Sequence, residues 1–369
     1  MKSAMEKYKY NQLLGNKMLP VDIVLAPEWW SRHEGITFDR DFYFHPARRV
    51  EDEQKMEKVL YERWGRYGLG EHHNEKRPEV GAVHLAAGYL ISEMLGCRVN
   101  YLESHPPQVV AANRDYLIIK PEDAFRSPVF KDLEKLIDAL KMKYNTLTGD
   151  LNWGGILNVA MDLRGDQIMT DFLTNPEGIR SYFSAIAGVI QTFTNGIQKE
   201  TGTSSVSVNR TVRHFEKPLF LHSECSHTMI SAEDYETFLL PFDIAWSRKR
   251  PFGIHYCGED PHRHAEKFAM IPHLNFLDVG WGGDVKLLRE HLPDTFLNIR
   301  LSPVEIIRQS HDQIRETITR LVSESGNPYL TGICCINMDD QVSDDKVATI
   351  METVAGLRES YIKGGAIHA

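Results

Sequence analysis

A histidine and a cysteine stand two residues apart in Phe252-Gly-Ile-His255-Tyr-Cys257-Gly258, an apolar run that stops at a glycine. In a strand, residues i and i+2 project to one face. His255 and Cys257 therefore point the same way, with Tyr256 opposite. An imidazole and a thiolate on one face make half of a zinc site. The other half must come from elsewhere in the chain. The best-placed thiols are Cys334 and Cys335, in Tyr329-Leu-Thr-Gly-Ile-Cys334-Cys335-Ile336, which also ends a strand-like run. Alternation lets only one of this adjacent pair face the site. Two thiolates and an imidazole select zinc over magnesium or calcium. Three protein ligands leave a fourth position for a substrate heteroatom, a thiol to deprotonate or an ether oxygen to polarise.

Acidic and aromatic residues near such a site are the next candidates. Glu224 ends the run Leu219–Glu224, and Asp278 lies in Phe276-Leu-Asp278-Val-Gly-Trp281. Both suit proton transfer or hydrogen bonding to a substrate. Cys225 reads as a packing residue, because free cysteine is among the most buried types. Trp29 and Trp30 need surface to bury; they serve either as a packing cluster or as the wall of a pocket for a flat substrate. Glu71-His72-His73-Asn-Glu75 reads as a solvated loop. Gly65-Arg-Tyr-Gly68-Leu-Gly70 lacks the strand before and helix after that a dinucleotide loop requires.

The elements that must position these residues repeat in the second half. Strand-like runs occur at Pro218–Ser223, Phe252–Cys257, Asn275–Val279, Thr295–Ile299 and Tyr329–Cys334. Helical runs separate them: Ala232–Lys249, Pro261–Met270, Asp284–His291, Pro303–Glu324 and, last, Asp344–Lys363. This alternation predicts parallel strands with crossover helices. With the apolar runs of the first half, it predicts an α/β fold: a (β/α)8 TIM-type barrel with N-terminal additions, read as one domain over residues 1–369. An open doubly wound sheet is the other arrangement. The first half predicts a strand over Leu19–Pro27, an aromatic loop at Glu28–Glu34, an extended Asp39–Phe44, and helices at Val50–Trp64, Val80–Leu95, Asp132–Lys143 and Asn175–Lys199. Residues 1–70 are expected to form an N-terminal extension and substrate-side loops. In a barrel the polar residues at the strand ends converge on one mouth.

The bulk properties narrow the class. The chain has 369 residues and a formal net charge of −9, from 42 basic and 51 acidic side chains. That balance argues against a nucleic-acid or anionic-membrane surface. No apolar run approaches the ~20 residues that span a bilayer. Met1–Tyr10 is polar and charged, unlike a signal peptide. Five cysteines without a secretory signal favour metal or redox chemistry over disulfides, and a cytoplasmic location.

The second half resembles the uroporphyrinogen decarboxylase superfamily, in its zinc-dependent, corrinoid-linked methyltransferase branch. The resembling stretches are Ala160-Met-Asp-Leu-Arg-Gly165, Asn175-Pro176-Glu177, Met229–Tyr235 with Leu240-Pro241, His255-Tyr-Cys257-Gly258 and Ile333-Cys334-Cys335-Ile336. The resemblance implies His255, Cys257 and Cys334 as zinc ligands, with Cys335 as the competitor for the third place. It also implies methyl transfer with a corrinoid (cobalamin) carried by a separate partner protein. Phe42-Tyr-Phe-His45-Pro46 and Leu60-Tyr61-Glu62-Arg63 are similar to O-demethylase components. They favour an O-methyl aromatic ether as methyl donor. A methylcorrinoid-to-thiol or -folate transferase, or a metal-free tetrapyrrole decarboxylase, are the alternatives. The chain departs from the family in two places. The decarboxylase's arginine-rich N-terminal signature is missing, and Gly280 stands where relatives carry an acidic residue.

Overall fold

Short runs rich in β-branched and aromatic residues, each followed by an amphipathic stretch, build the core of the computed structural model. It describes residues 17–72, 78–80, 88–149, 153–202 and 219–363. Six strands form one parallel sheet: β1 (Val21–Leu25), β2 (Phe220–Ser223), β3 (Phe252–Tyr256), β4 (Leu274–Val279), β5 (Phe296–Arg300) and β6 (Thr331–Met338). Their order across the sheet is β1-β6-β5-β4-β3-β2. Strands β2 to β6 neighbour their chain successors, and the first pairs with the last, so the sheet curls into a half-barrel. Such strands are buried on both faces and read as continuous apolar runs; β1, β3 and β5 are buried at every residue.

Besides an antiparallel pair, Arg98–Asn100 with Gln108–Val110, two further strands, Glu79–Val80 and Thr148–Gly149, pair in parallel with each other as a separate two-stranded sheet. Among the described residues no ladder joins this pair to the six-stranded sheet. The observed architecture is thus mixed α/β around a parallel half-barrel, coarser than the complete eight-stranded barrel expected. Among the described residues, no helix is long and apolar enough to cross a membrane.

The second half follows the sequence pattern closely, and the first half departs from it where short capping signals outweigh composition. Glu28–Glu34 is a helix, Pro27–Glu34, rather than a loop. Pro27 sits in its first turn, where a missing N–H costs nothing, and Gly35 closes it in the left-handed conformation at φ 64°. Asp39–Phe44 is likewise no extended run. The Asp39 carboxylate accepts from the N–H groups of Asp41 and Phe42 and caps a short helix, Arg40–Phe44. The expected helix from Val80 instead begins with a strand residue and resumes at Leu90–Met94; residues 81–87 lie outside the described residues, as do Met1–Asn16 and His73–Glu75. The run Ala232–Lys249 divides at Leu239 into helices Ala232–Phe238 and Leu240–Ser247. Pro303–Glu324 divides into Pro303–Arg308 and His311–Ser325, the second opened by a capping box from Ser310 and Gln313.

Candidate metal centre

The parallel register sets the site. Ser223 of β2 lies opposite His255 of β3, His255 opposite Asp278 of β4, and Asp278 opposite Asn298 of β5. One row of polar side chains therefore crosses four adjacent strands. The Asp278 carboxylate joins it: Oδ2 accepts from His255 Nδ1 at 2.5 Å, and Oδ1 accepts from Asn298 Nδ2 at 2.9 Å. A carboxylate only accepts, so Nδ1 carries a proton, and Nε2 is the nitrogen left to bind a metal. This is the carboxylate–histidine arrangement that orients a metal-ligating imidazole.

Beyond the strand ends the chain turns sharply, and close backbone approach brings two thiols to that imidazole. After β2, the turn Cys225–Met229 is held by Asn158, whose Oδ1 accepts from the Ser226 N–H and whose Nδ2 donates to the Ser223 carbonyl. After β3, Cys257 and Gly258 pass between that turn and β4. A Cβ at Gly258 would lie 1.8 Å from Thr228 Cγ2, and one at Gly280 would lie 1.7 Å from the Gly258 carbonyl oxygen. Glycine at both places lets the three turns close up. The donor atoms of Cys225, His255 and Cys257 all lie within 4.8 Å of one another. An acidic side chain at position 280 has no room.

Electrostatics favour a thiolate here. The thiol interaction from Cys225, His255 and the Arg300 charge hold Cys257 below the usual thiol range against the effect of burial. The Cys257 sulfur and burial push Cys225 up. Burial opposes a charge on His255, and Asp278 more than offsets it. Cys225 and Cys257 are half-buried, whereas His255 and Asp278 are buried.

The other residues singled out from the sequence fall as follows. Cys334 lies outside the three-residue group. Its thiol sits 3.2 Å from Asn298 Nδ2 and 3.8 Å from Asp278 Oδ1, beyond the Nδ1 side of His255. Cys334 shares a small cluster with Val24 and Ile336, while Cys335 joins the main core packed by helices. The third donor that the structure gathers beside His255 and Cys257 is Cys225, expected from the sequence to pack. Glu224 accepts from the N–H groups of Leu157 at 2.7 Å and Asn158 at 3.1 Å. It closes the first turn of helix Ile156–Arg164, and burial pushes it up to about 7. Trp29 and Trp30 are 2% and 0% exposed, and Trp29 stacks on His33 and lies under Arg63. They form the packing cluster rather than a pocket wall.

Two residues near the cluster escaped sequence reasoning. Trp281 is half-buried and donates its Nε1–H to Glu259 at 3.2 Å. Arg300, the last residue of β5, is 5% exposed and lies opposite Cys334 in register. A charged residue one position past an apolar run is the signal that marks it, since strand ends are where barrel sites form. A groove lined by Phe125, Phe130, Lys135, Phe193 and Glu200 lies elsewhere, between helices Pro128–Tyr144 and Pro176–Thr201, and brings no histidine or cysteine together.

No family model and no curated protein sequence matches the chain. Among solved structures, a methyltransferase from Methanosarcina mazei superposes with a TM-score of 0.64. The match covers 94% of this chain and 96% of that one, at 13% identity. A B12-independent methionine synthase from a Shewanella species gives a TM-score of 0.49 over 93% of this chain and 100% of its own, at 10% identity. The first likeness is one of fold over nearly the whole length; the second is too loose to carry an argument.

Proposed function

We propose that the chain is a zinc-dependent methyltransferase whose metal is held by Cys225, His255 and Cys257. The observation that carries this reading is the three-donor cluster, with donor atoms within 4.8 Å of one another and the imidazole fixed by Asp278. The donor set fits the ion: two sulfurs and one imidazole nitrogen are a zinc-type combination. The fold likeness to a methyltransferase supports the class of reaction.

When bound, such an ion supplies Lewis acidity at a fourth position open to the heteroatom that carries or receives the methyl group. The chain's own residues prepare that position. Asp278 and Asn298 fix the tautomer and tilt of His255. Asn158 fixes the turn that carries Cys225. Gly258 and Gly280 allow Cys257 to reach it. Trp281, rather than Trp29 or Trp30, offers an aromatic face beside the cluster. Cys334 lies next to Asp278, on the far side of the imidazole, and has the place of a residue that tunes Asp278.

We further propose that the methyl acceptor is the cobalamin of a separate corrinoid protein and that the donor is a small methyl ether, with the reverse transfer to a thiol or folate as the alternative direction. Two measurements test these proposals. Metal analysis of the purified chain is expected to find about one zinc per chain; a metal-free chain with full activity overturns the zinc reading. Incubation with a reduced corrinoid protein and a methoxyarene is expected to produce methylcorrinoid and the phenol. Methyl loss from methylcorrinoid only in the presence of a thiol or folate reverses the direction.

A further inference from the structure

Arg300 is a buried cation with two donor nitrogens that no described residue uses. Its Nε and Nη1 are both buried without a hydrogen-bond partner among the described residues. Leaving charged donors unpaired in the interior is costly, and such groups are retained where a partner arrives from outside. The guanidinium is not remote from the chemistry. Asp278, Cys334, Cys257 and Cys225 all act on it electrostatically. Its Cζ lies 5.7 Å from the centroid of the Trp281 ring. The cation therefore stands between the candidate metal cluster and a half-buried aromatic face.

Among the described residues no anion takes Nε or Nη1. Asp278 spends Oδ2 on His255 and Oδ1 on Asn298. Cys334 faces Asn298 and Asp278. A guanidinium matches a planar carboxylate by two parallel N–H···O bonds, and an aromatic ring beside it favours a flat molecule.

We infer that Arg300 binds a carboxylate on the methyl donor, so that the substrate is an anionic small molecule anchored at Arg300 with its methylated heteroatom at the Cys225–His255–Cys257 cluster. The inference rests on the reading of that cluster as the reacting centre. It makes Arg300 a positioning and specificity residue rather than a ligand of the metal.

The test is calorimetric titration of the full-length, zinc-loaded chain with 4-methoxybenzoate, methoxyacetate and the neutral ether methoxybenzene. At least one of the acids is expected to bind ten-fold or more tightly than the neutral ether. With each variant titrated in its zinc-loaded form, because the Arg300 charge also acts on Cys257, Arg300→Gln is expected to abolish that preference. Its melting temperature should hold or rise, because an unpaired buried charge has been removed. Arg300→Lys keeps the charge without the planar fork and should lose most of the preference, which serves if the glutamine variant folds poorly. The inference is overturned if the wild type prefers neither acid, or if both variants keep the preference. Failure of the zinc reading is seen separately, as a chain that takes up no zinc; titration of that chain with the same acids still decides the role of Arg300.

Discussion

Cys257, just past the end of β3, and Cys334, midway along β6, are alike in residue type, and their surroundings make them chemically different. Cys257 is half-buried and faces a second thiol, an imidazole and the Arg300 charge, which together hold it down as a thiolate. Cys334 is fully buried, and burial and then the Asp278 carboxylate push it well above the usual range. Both lie within the reach of Arg300. Neighbouring charge decides which thiol ionises, and it favours Cys257 alone of the three: Cys225 is pushed up by the Cys257 sulfur and by burial, as Cys334 is by burial and Asp278. What sets Cys225 apart from Cys334 is place, since its donor atom lies within 4.8 Å of those of His255 and Cys257.

The largest effect expected from this contrast is on metal content. Cys257→Ala and Cys225→Ala should each remove most of the bound zinc, while Cys334→Ala should keep it near the wild-type level. Elemental analysis of the three purified variants, with circular dichroism to confirm folding, reads the outcome. Zinc loss in Cys334→Ala with retention in Cys225→Ala would reverse the assignment and restore the ligand set that the sequence resemblance implies.

The next effect is steric. Gly280→Ala places a methyl group 1.7 Å from the Gly258 carbonyl oxygen, a backbone atom that cannot rotate away. The β3 and β4 turns must separate, at a cost of about 3 kcal/mol or more, comparable to strong overpacking. Denaturant melts measure this loss. Because Cys257 rides on the displaced turn, zinc affinity should fall with stability, whereas Gly196→Ala, inside helix Pro176–Thr201 with nothing near its Cβ position, should leave zinc affinity unchanged and raise stability by about 0.5–1 kcal/mol.

A smaller effect should follow from Asp278→Asn. The amide keeps the shape of the side chain and loses the charge that orients His255 through Nδ1. Zinc affinity is expected to fall roughly 10- to 100-fold, the usual range for such outer partners. Competition with a chelator of known affinity measures it. The same change should lower the Cys334 thiol toward the normal range, because its main charged neighbour disappears. Alkylation of unfolded-resistant thiols across a pH series reads that shift. An Asp278→Asn protein whose Cys334 titrates as before would break the explanation offered for the difference between the two thiols.

How legible this was in the sequence depends on the range of the interaction. The His255–Cys257 pair needs only the two-residue period of a strand, and it was readable. So were the five strand–helix repeats, because crossover helices and buried parallel strands leave strong local patterns. Cys225 was not readable, because its approach to Cys257 depends on Asn158 and on Gly258 and Gly280, which lie far apart in the chain. Arg300 ends an apolar run and gave a weak signal that became informative only once its register with Cys334 was seen. Trp29 and Trp30 offered a packing reading and a pocket-wall reading, and the structure buries both side chains. In the first half, the helices Pro27–Glu34 and Arg40–Phe44 were signalled by Pro27, Gly35 and Asp39. Aromatic composition concealed those caps.

The smallest expected effect lies on the outer side of the same strand end, and it separates buried imidazoles that serve packing from the one that serves the site. His264 lies among His227, Tyr235, Tyr256 and Phe268, and its Nε2–H donates to the His227 carbonyl at 3.2 Å. Arg263, Asp260 and Glu233 are the charges that act on it. Burial, and next the Arg263 charge, lower it to about 4. His255, by contrast, has its charged form favoured by Asp278. A base lowered in the folded state stays neutral there while the unfolded chain takes up the proton. Its stability contribution is therefore full above the unfolded value near 6.5 and is lost as pH falls toward 4. Between pH 7 and pH 6 the loss from this one group is about 0.7 kcal/mol. His264→Gln keeps a donor for the His227 carbonyl and removes the titration. Stability measured by urea melts at both pH values should then fall less in the variant than in the wild type by about that amount. Equal losses in the two proteins would mean that His264 is charged, or solvated, in the folded chain, and that the aromatic shell around it does not exclude water.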